Sequence, residues 1–191
     1  MNSIHQKILI ITAPSGAGKT SITRYLMKIF PVLEFSVSAA TRKARGTEKD
    51  GVDYYFIGLE DFKQKIQNKE FAEWEMVYEG KYYGTLKSEL KRIWSLNKVP
   101  VLDIDVKGAI HIQQQYPENT LSLFVEPPSV NELKNRLESR GTETAESLAA
   151  RVSKASYELS FKEHFDESIV NDDLERACED AAKLVAVFLK N

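Results

Sequence analysis

Three features of the chain predict an α/β fold with a three-layer core around a parallel sheet. A β-branched run, Lys7–Thr12, leads directly into a glycine-rich turn, and a second apolar run, Val99–Asp105, ends in two carboxylates. Around them, strand-like runs alternate with segments of helical apolar spacing. Parallel neighbours need a crossover, usually a helix, so the alternation reads as helices covering a parallel sheet. Between about residues 36 and 85 the pattern becomes strand-rich, which reads as an inserted lobe. The expected organisation is one domain: a core of about 1–35, 86–128 and 160–191, a lobe of about 36–85 and a helical lid of about 129–159.

The elements follow in order. Residues 7–12 are expected as a buried strand, and Ile22, Leu26 and Ile29 or Phe30 space a helix from about Lys19 until Pro31 ends it. Glu34–Ser38 and Tyr54–Ile57 read as short strands flanking a charged, glycine-containing stretch, Arg42–Gly51. Leu59–Asn68 reads as a helix, Glu70–Tyr83 as strands turning near Gly80, and Leu86–Leu96 as a helix. After the strand Val99–Asp105 come a helix over Ala109–Gln115, a strand over Thr120–Val125, and helices over Val130–Glu138 and Thr144–Ser160. A short strand, Ser168–Val170, precedes an amphipathic helix over Leu174–Leu189 whose apolar stripe is Leu174, Cys178, Ala181, Val185 and Phe188.

Composition narrows the function classes. Of 191 residues, 26 are Lys or Arg and 28 are Asp or Glu, so the net charge of −2 argues against a broad nucleic-acid-coating face. No apolar run approaches the roughly 20 residues of a membrane span, and Ile8–Ile11 is too short for a signal-peptide core. The lone Cys178 cannot form an internal disulfide, which fits a reducing compartment, so a cytoplasmic location is expected. Cys178 itself reads as core, and His5, His111 and His164 fit no relay or metal spacing.

The turn Ala13-Pro14-Ser15-Gly16-Ala17-Gly18-Lys19-Thr20 matches the Walker A phosphate loop at every position but the first, where Ala13 replaces glycine. Gly16 and Gly18 let backbone N–H groups turn inward around phosphates, and the following helix N-terminus adds partial positive charge. Lys19 would serve the β/γ oxygens and the Thr20 hydroxyl could ligate Mg²⁺. Asp103 and Asp105 end the second apolar run as a Walker B strand would, and alternation about Ile104 sets both on one strand face. Asn97-Lys98-Val99-Pro100 breaks the guanine tetrapeptide of switch GTPases.

Further along, the chain resembles the guanylate kinase family. The residues carrying the likeness are Ser36-Val-Ser38-Ala-Ala-Thr-Arg42-Lys-Ala-Arg45, Asp50-Gly-Val-Asp-Tyr54-Tyr-Phe, Glu70-Phe-Ala-Glu73-Trp74 and Tyr82-Tyr83-Gly-Thr85. Leu102-Asp-Ile-Asp105-Val-Lys-Gly108, Arg136-Leu-Glu-Ser-Arg140 and Ile169-Val-Asn171-Asp-Asp continue it, so the match spans roughly residues 7 to 189. The resemblance implies a P-loop kinase core, an inserted monophosphate-binding lobe and a helical lid. It also implies ATP-dependent phosphorylation of GMP with Mg²⁺, within purine nucleotide metabolism. Arg42, Arg45, Tyr54 and Tyr83 would hold the acceptor phosphate, as paired guanidinium forks and hydroxyls suit a dianion. Glu73, Ser38, Thr85 and Asp105 would read guanine, Asn171 would contact adenine, and Thr20 and Asp103 would hold the metal.

Arg136, Arg140 and Arg151 match lid arginines that close over the transferring group; Lys19 and Arg42 complete the catalytic set that the resemblance implies. Arg136 and Arg140 share a helix face, although Glu132 is also placed to pair with Arg136. Departures from the family pattern are Ala40, Ala44, the shifted glycine of Arg45-Gly46-Thr47-Glu48, and Lys107. Two rivals stay open on the sequence: a catalytically silent protein-binding module of the same fold, and a kinase of that fold with another acceptor. Partners expected are small nucleotides, with no nucleic acid and no membrane.

Overall fold

β1 (Ile8–Thr12) lies at the centre of the molecule, and every one of its residues is buried. In this computed structural model, which describes residues 6–139 and 144–190, its side chains alternate between two cores. Leu9 and Ile11 pack with α1 (Lys19–Ile29) through Ile22 and Leu26, with α5 (Val130–Ser139) through Leu133 and Leu137, and with α7 (Leu174–Lys190). Ile8 and Ile10 pack on the other face with Leu90 of α3 (Lys87–Ser95) and with Ala109 and Ile112 of α4 (Val106–Gln115). A strand hydrophobic on both faces needs helices on both sides, and here it has them. The three-layer α/β core is therefore as expected.

The central sheet has the order β2 (Leu33–Phe35), β7 (Val99–Asp103), β1, β8 (Thr120–Glu126), β9 (Glu167–Val170), all paired in parallel. A second sheet of four strands has the order β4 (Tyr55–Phe56), β3 (Ala39–Ala40), β6 (Lys81–Leu86), β5 (Phe71–Tyr78). It is backed by α2 (Leu59–Gln67), whose fully buried Phe62 stacks on Phe71 with ring centroids 4.3 Å apart. The segment expected as a lid folds as two helices, α5 and α6 (Ala145–Leu159), the latter started by a capping box between Thr144 and Ser147.

Three expectations change. The strand expected over Glu34–Ser38 is split: β2 ends at Phe35 and β3 starts at Ala39, in the other sheet. Val37 sits in the crossing between them and donates its N–H to Glu89 at 3.1 Å. β7 ends at Asp103, so Asp105 is not a strand residue; it N-caps α4, accepting from the Gly108 N–H at 2.9 Å. An aspartate at a strand-to-helix junction satisfies orphan helix donors better than it extends a strand. On α7, Leu174 is 46% exposed and Ala177 takes its place in the core, whereas Cys178 is buried as expected.

Glu89, on α3, ties the second sheet to the first. Its buried carboxylate accepts from the Val37 N–H, from the Tyr55 hydroxyl at 3.1 Å, and from Arg92 at 2.8 and 2.9 Å. Burial works against this charge, but the Arg92 pairing and the Val37 and Tyr55 donors outweigh it and hold its pKa below the ordinary carboxylate value. A depressed pKa contributes stability above the unfolded-state value that is lost as pH falls through the folded one. Glu89→Ala should destabilise the fold by about 2–4 kcal/mol in chemical denaturation, and it should flatten the loss of stability on acidification.

Candidate active site

The turn after β1 is built for close approach to its backbone. Gly16 and Gly18 have φ of +97° and +103°, a region that favours glycine. Gly18 is the N-cap of α1 and no side chain caps that helix start, which leaves its first N–H groups open to an anion. Ala13 explains its departure from the motif: its Cβ is buried in the core cluster beneath the turn. Asn171, 4% exposed, donates its Nδ2 to the Ala17 carbonyl at 2.7 Å. A Cβ on Gly18 would collide with that amide. Pro14 is buried, while Ser15 and Thr20 are exposed, Thr20 on the first turn of α1.

Lys19 reaches the end of β7, where its Nζ forms an ion pair with Asp103. Burial opposes the ammonium charge, but the Asp103 carboxylate prevails and its pKa lies above the ordinary lysine value. Both residues line a cavity of about 340 Å³ with Ser15 on their side. The other wall comes from the second sheet and the segments flanking β3: Ser38, Arg42, Arg45, Tyr54, Glu73 and Tyr83, with Asp105 beside them. Thr85 does not line it, being fully buried behind Glu73.

Arg42 is held from several directions. Its guanidinium makes a bidentate pair with Glu48 at 2.5 and 2.8 Å and donates through Nε to the Tyr83 hydroxyl at 3.1 Å. It also stacks over Tyr54, 4.7 Å from the ring centroid, and Phe56, at 5.5 Å. Glu48 additionally accepts the Arg45 backbone N–H at 2.8 Å, so one carboxylate organises both arginines of the loop. The Arg42 bonds and that N–H hold Glu48 down at about 2. Gly46 takes φ +53° within this turn. Burial pushes the Tyr54 hydroxyl up, with Asp103 adding to it, so Tyr54 stays a neutral donor.

Glu73 lies opposite Thr85 in the β5–β6 register and accepts from its hydroxyl at 2.6 Å. It is 6% exposed. Burial drives its pKa up to about 7, the Thr85 bond opposes this, and Asp105 adds to it. Among the arginines expected in a lid, Arg151 donates to the Ser15 hydroxyl at 2.9 Å, bringing α6 onto the glycine-rich turn. Arg136 pairs with Glu132 at 3.1 Å, as its spacing allows, and also donates to the Asn171 carbonyl at 3.0 Å. Arg140 and His5 lie outside the described residues.

Glu48, Glu75, Val77 and Glu158 had no role in the sequence reading. Glu75 and Val77 line the cavity, and period-two alternation from Glu73 along β5 is a signal that finds both. Glu158 is 6% exposed on α6 and adds its charge to the field at Lys19. Only packing brings it there, so no local pattern announces it. His111 sits 3.9 Å from Glu75, and neither it nor His164 lines the cavity. Among the described residues no group of three or more His, Cys, Asp or Glu is placed to hold a metal, and no helix is long and apolar enough to cross a membrane.

A glycine-rich turn at the carboxyl edge of a parallel sheet, facing arginines and tyrosines across one cavity, is the arrangement of a P-loop phosphotransferase. The family model described as guanylate kinase matches residues 5–187. A guanylate kinase of Bacteroides fragilis is 46% identical over 183 residues, covering 96% of this chain and 90% of that protein. One from Porphyromonas gingivalis is 44% identical over 184 residues, covering 96% and 98%. The crystal structure of guanylate kinase from Anaplasma phagocytophilum superposes with a TM-score of 0.77 at 30% identity, covering 98% of this chain and 87% of that one. The chain belongs to the guanylate kinase family.

Thr85→Val removes the hydroxyl that favours the ionised form of Glu73. The Glu73 carboxyl, followed by carbon-13 NMR or infrared titration, should then titrate above its present value of about 7. An unmoved or lower midpoint would contradict this account of the pocket.

Proposed function

We propose that the protein transfers the γ-phosphoryl group of ATP to GMP, giving ADP and GDP. The observation that carries the reading is the single cavity in which Lys19 and Asp103 face Arg42, Tyr54, Tyr83 and Glu73. The phosphate turn from Ala13 to Thr20 would bind the donor's phosphates through its N–H groups, with Lys19 leaving Asp103 for the β and γ oxygens. Asn171, its Nδ2 committed to the loop, would keep its amide oxygen for the adenine amino group. Arg42, Arg45, Tyr54 and Tyr83 would hold the phosphate of GMP.

Guanine offers N1–H and N2–H donors side by side. An ionised Glu73, held from behind by the Thr85 hydroxyl, can accept both, with Asp105 near the amino group and Ser38 supplying a hydroxyl. Adenine presents an acceptor at N1, and setting it against a buried carboxylate leaves both groups unpaired. The acceptor phosphate, with a second pKa of about 6, is already nucleophilic at neutral pH, so no general base is required. Arg151 and Arg136, with Arg140 by resemblance, would stabilise charge on the equatorial oxygens as transfer proceeds and help to exclude water.

The oxygen donors of Thr20 and Asp103 suit Mg²⁺, which usually takes one or two protein ligands and completes its shell with substrate phosphates and water. When bound there the ion would neutralise charge on the β and γ phosphates. The substrates implied are free nucleotides and the setting cytoplasmic.

Incubation with ATP, Mg²⁺ and GMP, AMP, UMP or dTMP in turn should release ADP with GMP alone. Release with no monophosphate, or equally with AMP, would overturn the reading. Lys19→Met should lower kcat by at least about 10²-fold. The KM for GMP should fall as pH rises through about 7, where Glu73 ionises. Glu73→Gln should raise that KM and abolish this pH step; the GMP phosphate titrates in both proteins, so the difference isolates Glu73.

A further inference from the structure

Glycine is a poor choice for the first turn of a helix, because it gains nothing from side-chain packing and loses more backbone entropy than any other residue. Gly108 nevertheless stands third in α4, whose N-cap is Asp105. Its backbone does not require glycine, for it lacks the positive φ of Gly16, Gly18, Gly46, Gly51 and Gly80. Its N–H is bonded to the Asp105 carboxylate at 2.9 Å, a bond any residue but proline makes.

What does require glycine is the neighbouring carboxylate. A Cβ on Gly108 would lie 2.6 Å from Glu73 Oε2 and 3.1 Å from Glu73 Cδ, with Asp105 Oδ1 at 3.4 Å. The other Glu73 oxygen, Oε1, is fixed by the Thr85 hydroxyl at 2.6 Å. The carboxylate is thus gripped at both ends: a hydrogen bond on one oxygen, and on the other a space that exists only because residue 108 has no side chain. The two oxygens must also lie in the plane of two adjacent N–H donors if they are to accept both. We propose that Gly108 is a specificity-determining positioning residue, whose missing side chain sets the angle at which Glu73 meets the purine edge. This rests on the base-reading role proposed above for Glu73.

The discriminating ligand is inosine monophosphate, which keeps the N1–H donor of GMP but lacks the 2-amino group. A correctly aimed carboxylate separates the two nucleotides; one rotated away from a new methyl group reaches a single donor and separates them poorly. Gly108→Ala should raise the KM for GMP by about tenfold or more, while kcat at saturating GMP and the KM for ATP change less than about threefold. The preference for GMP over inosine monophosphate in kcat/KM should narrow by a similar factor. Tm should hold or rise, because alanine favours the helix and Glu73 is a movable side-chain end. Glu73→Asp, which shortens the colliding side chain, should cost less in the Gly108→Ala background than in the parent chain.

An unchanged GMP KM with an unchanged nucleotide preference, or strictly additive effects of the two substitutions, overturns the proposal. If the Gly108→Ala chain fails to fold, adding Glu73→Ala removes the atoms its methyl would meet and must restore the fold; a double variant that stays unfolded overturns it as well. Glu73→Gln separates the two levels. If it leaves the GMP KM unaltered, the base-reading role is wrong; if it raises that KM while Gly108→Ala does not, only the role of Gly108 falls.

Discussion

The parallel register of β1 on β7 is the constraint from which the rest of the structure follows. Ile11 pairs with Asp103, so β7 ends one residue before β1 does, and the chain leaving Thr12 must turn back over that end. α1 then carries Lys19 onto Asp103, and β2 lands on the far side of β7. Strand order reverses at this point, opening a crevice at the carboxyl edge where a ligand fits without breaking any ladder hydrogen bond. A one-residue slip would move Asp103 out of reach and turn the side chains of Leu9 and Ile11 to the opposite face.

The second sheet completes the crevice by facing it with side chains of mixed sign. A net charge of −2 conceals this, because the acids are not distributed at random over the surface. Asp103 pairs with Lys19, Glu48 with Arg42, and Glu89 with Arg92, while Glu73 is left to burial and one hydroxyl. The carboxylate without a cationic partner is the one whose pKa rises to about 7. Its protonated form contributes stability fully at acid pH, and that contribution is lost as pH rises through this value. The buried, cation-free setting of Glu73 therefore opposes the stability of the protein near neutrality.

Much of this was legible in the sequence, because the relevant signals are local. The phosphate turn, the two buried apolar runs and the amphipathic helices are each set by residues within a few positions of one another. Alternation failed where a capping preference competed with it, as at Asp105, whose side chain turns to the Gly108 N–H. It failed again at Ser36–Ser38, where the chain changes sheets and its bonding partner, Glu89, is 52 residues from Val37 in sequence. The cavity roles of Glu75 and Val77 follow from period two along β5, a pattern present but unused. Glu48 and Glu158 depend on tertiary packing, which no window of sequence contains. Ala13, a departure from the phosphate-loop pattern, has its reason in the core below it.

In the role proposed for Arg42, its pairing with Glu48 would give the acceptor side a character of exchange rather than capture. The guanidinium is never a bare cation waiting for an anion; its fork already holds a carboxylate of the same geometry at 2.5 and 2.8 Å. An arriving group must replace or share that partner, so occupancy depends on the difference between two ion pairs and not on the strength of one. A monoanion offers little beyond what Glu48 already provides, whereas a dianionic phosphate brings a second charge and a third oxygen. The same carboxylate that lowers the gain from any anion makes the gain from the correct one selective.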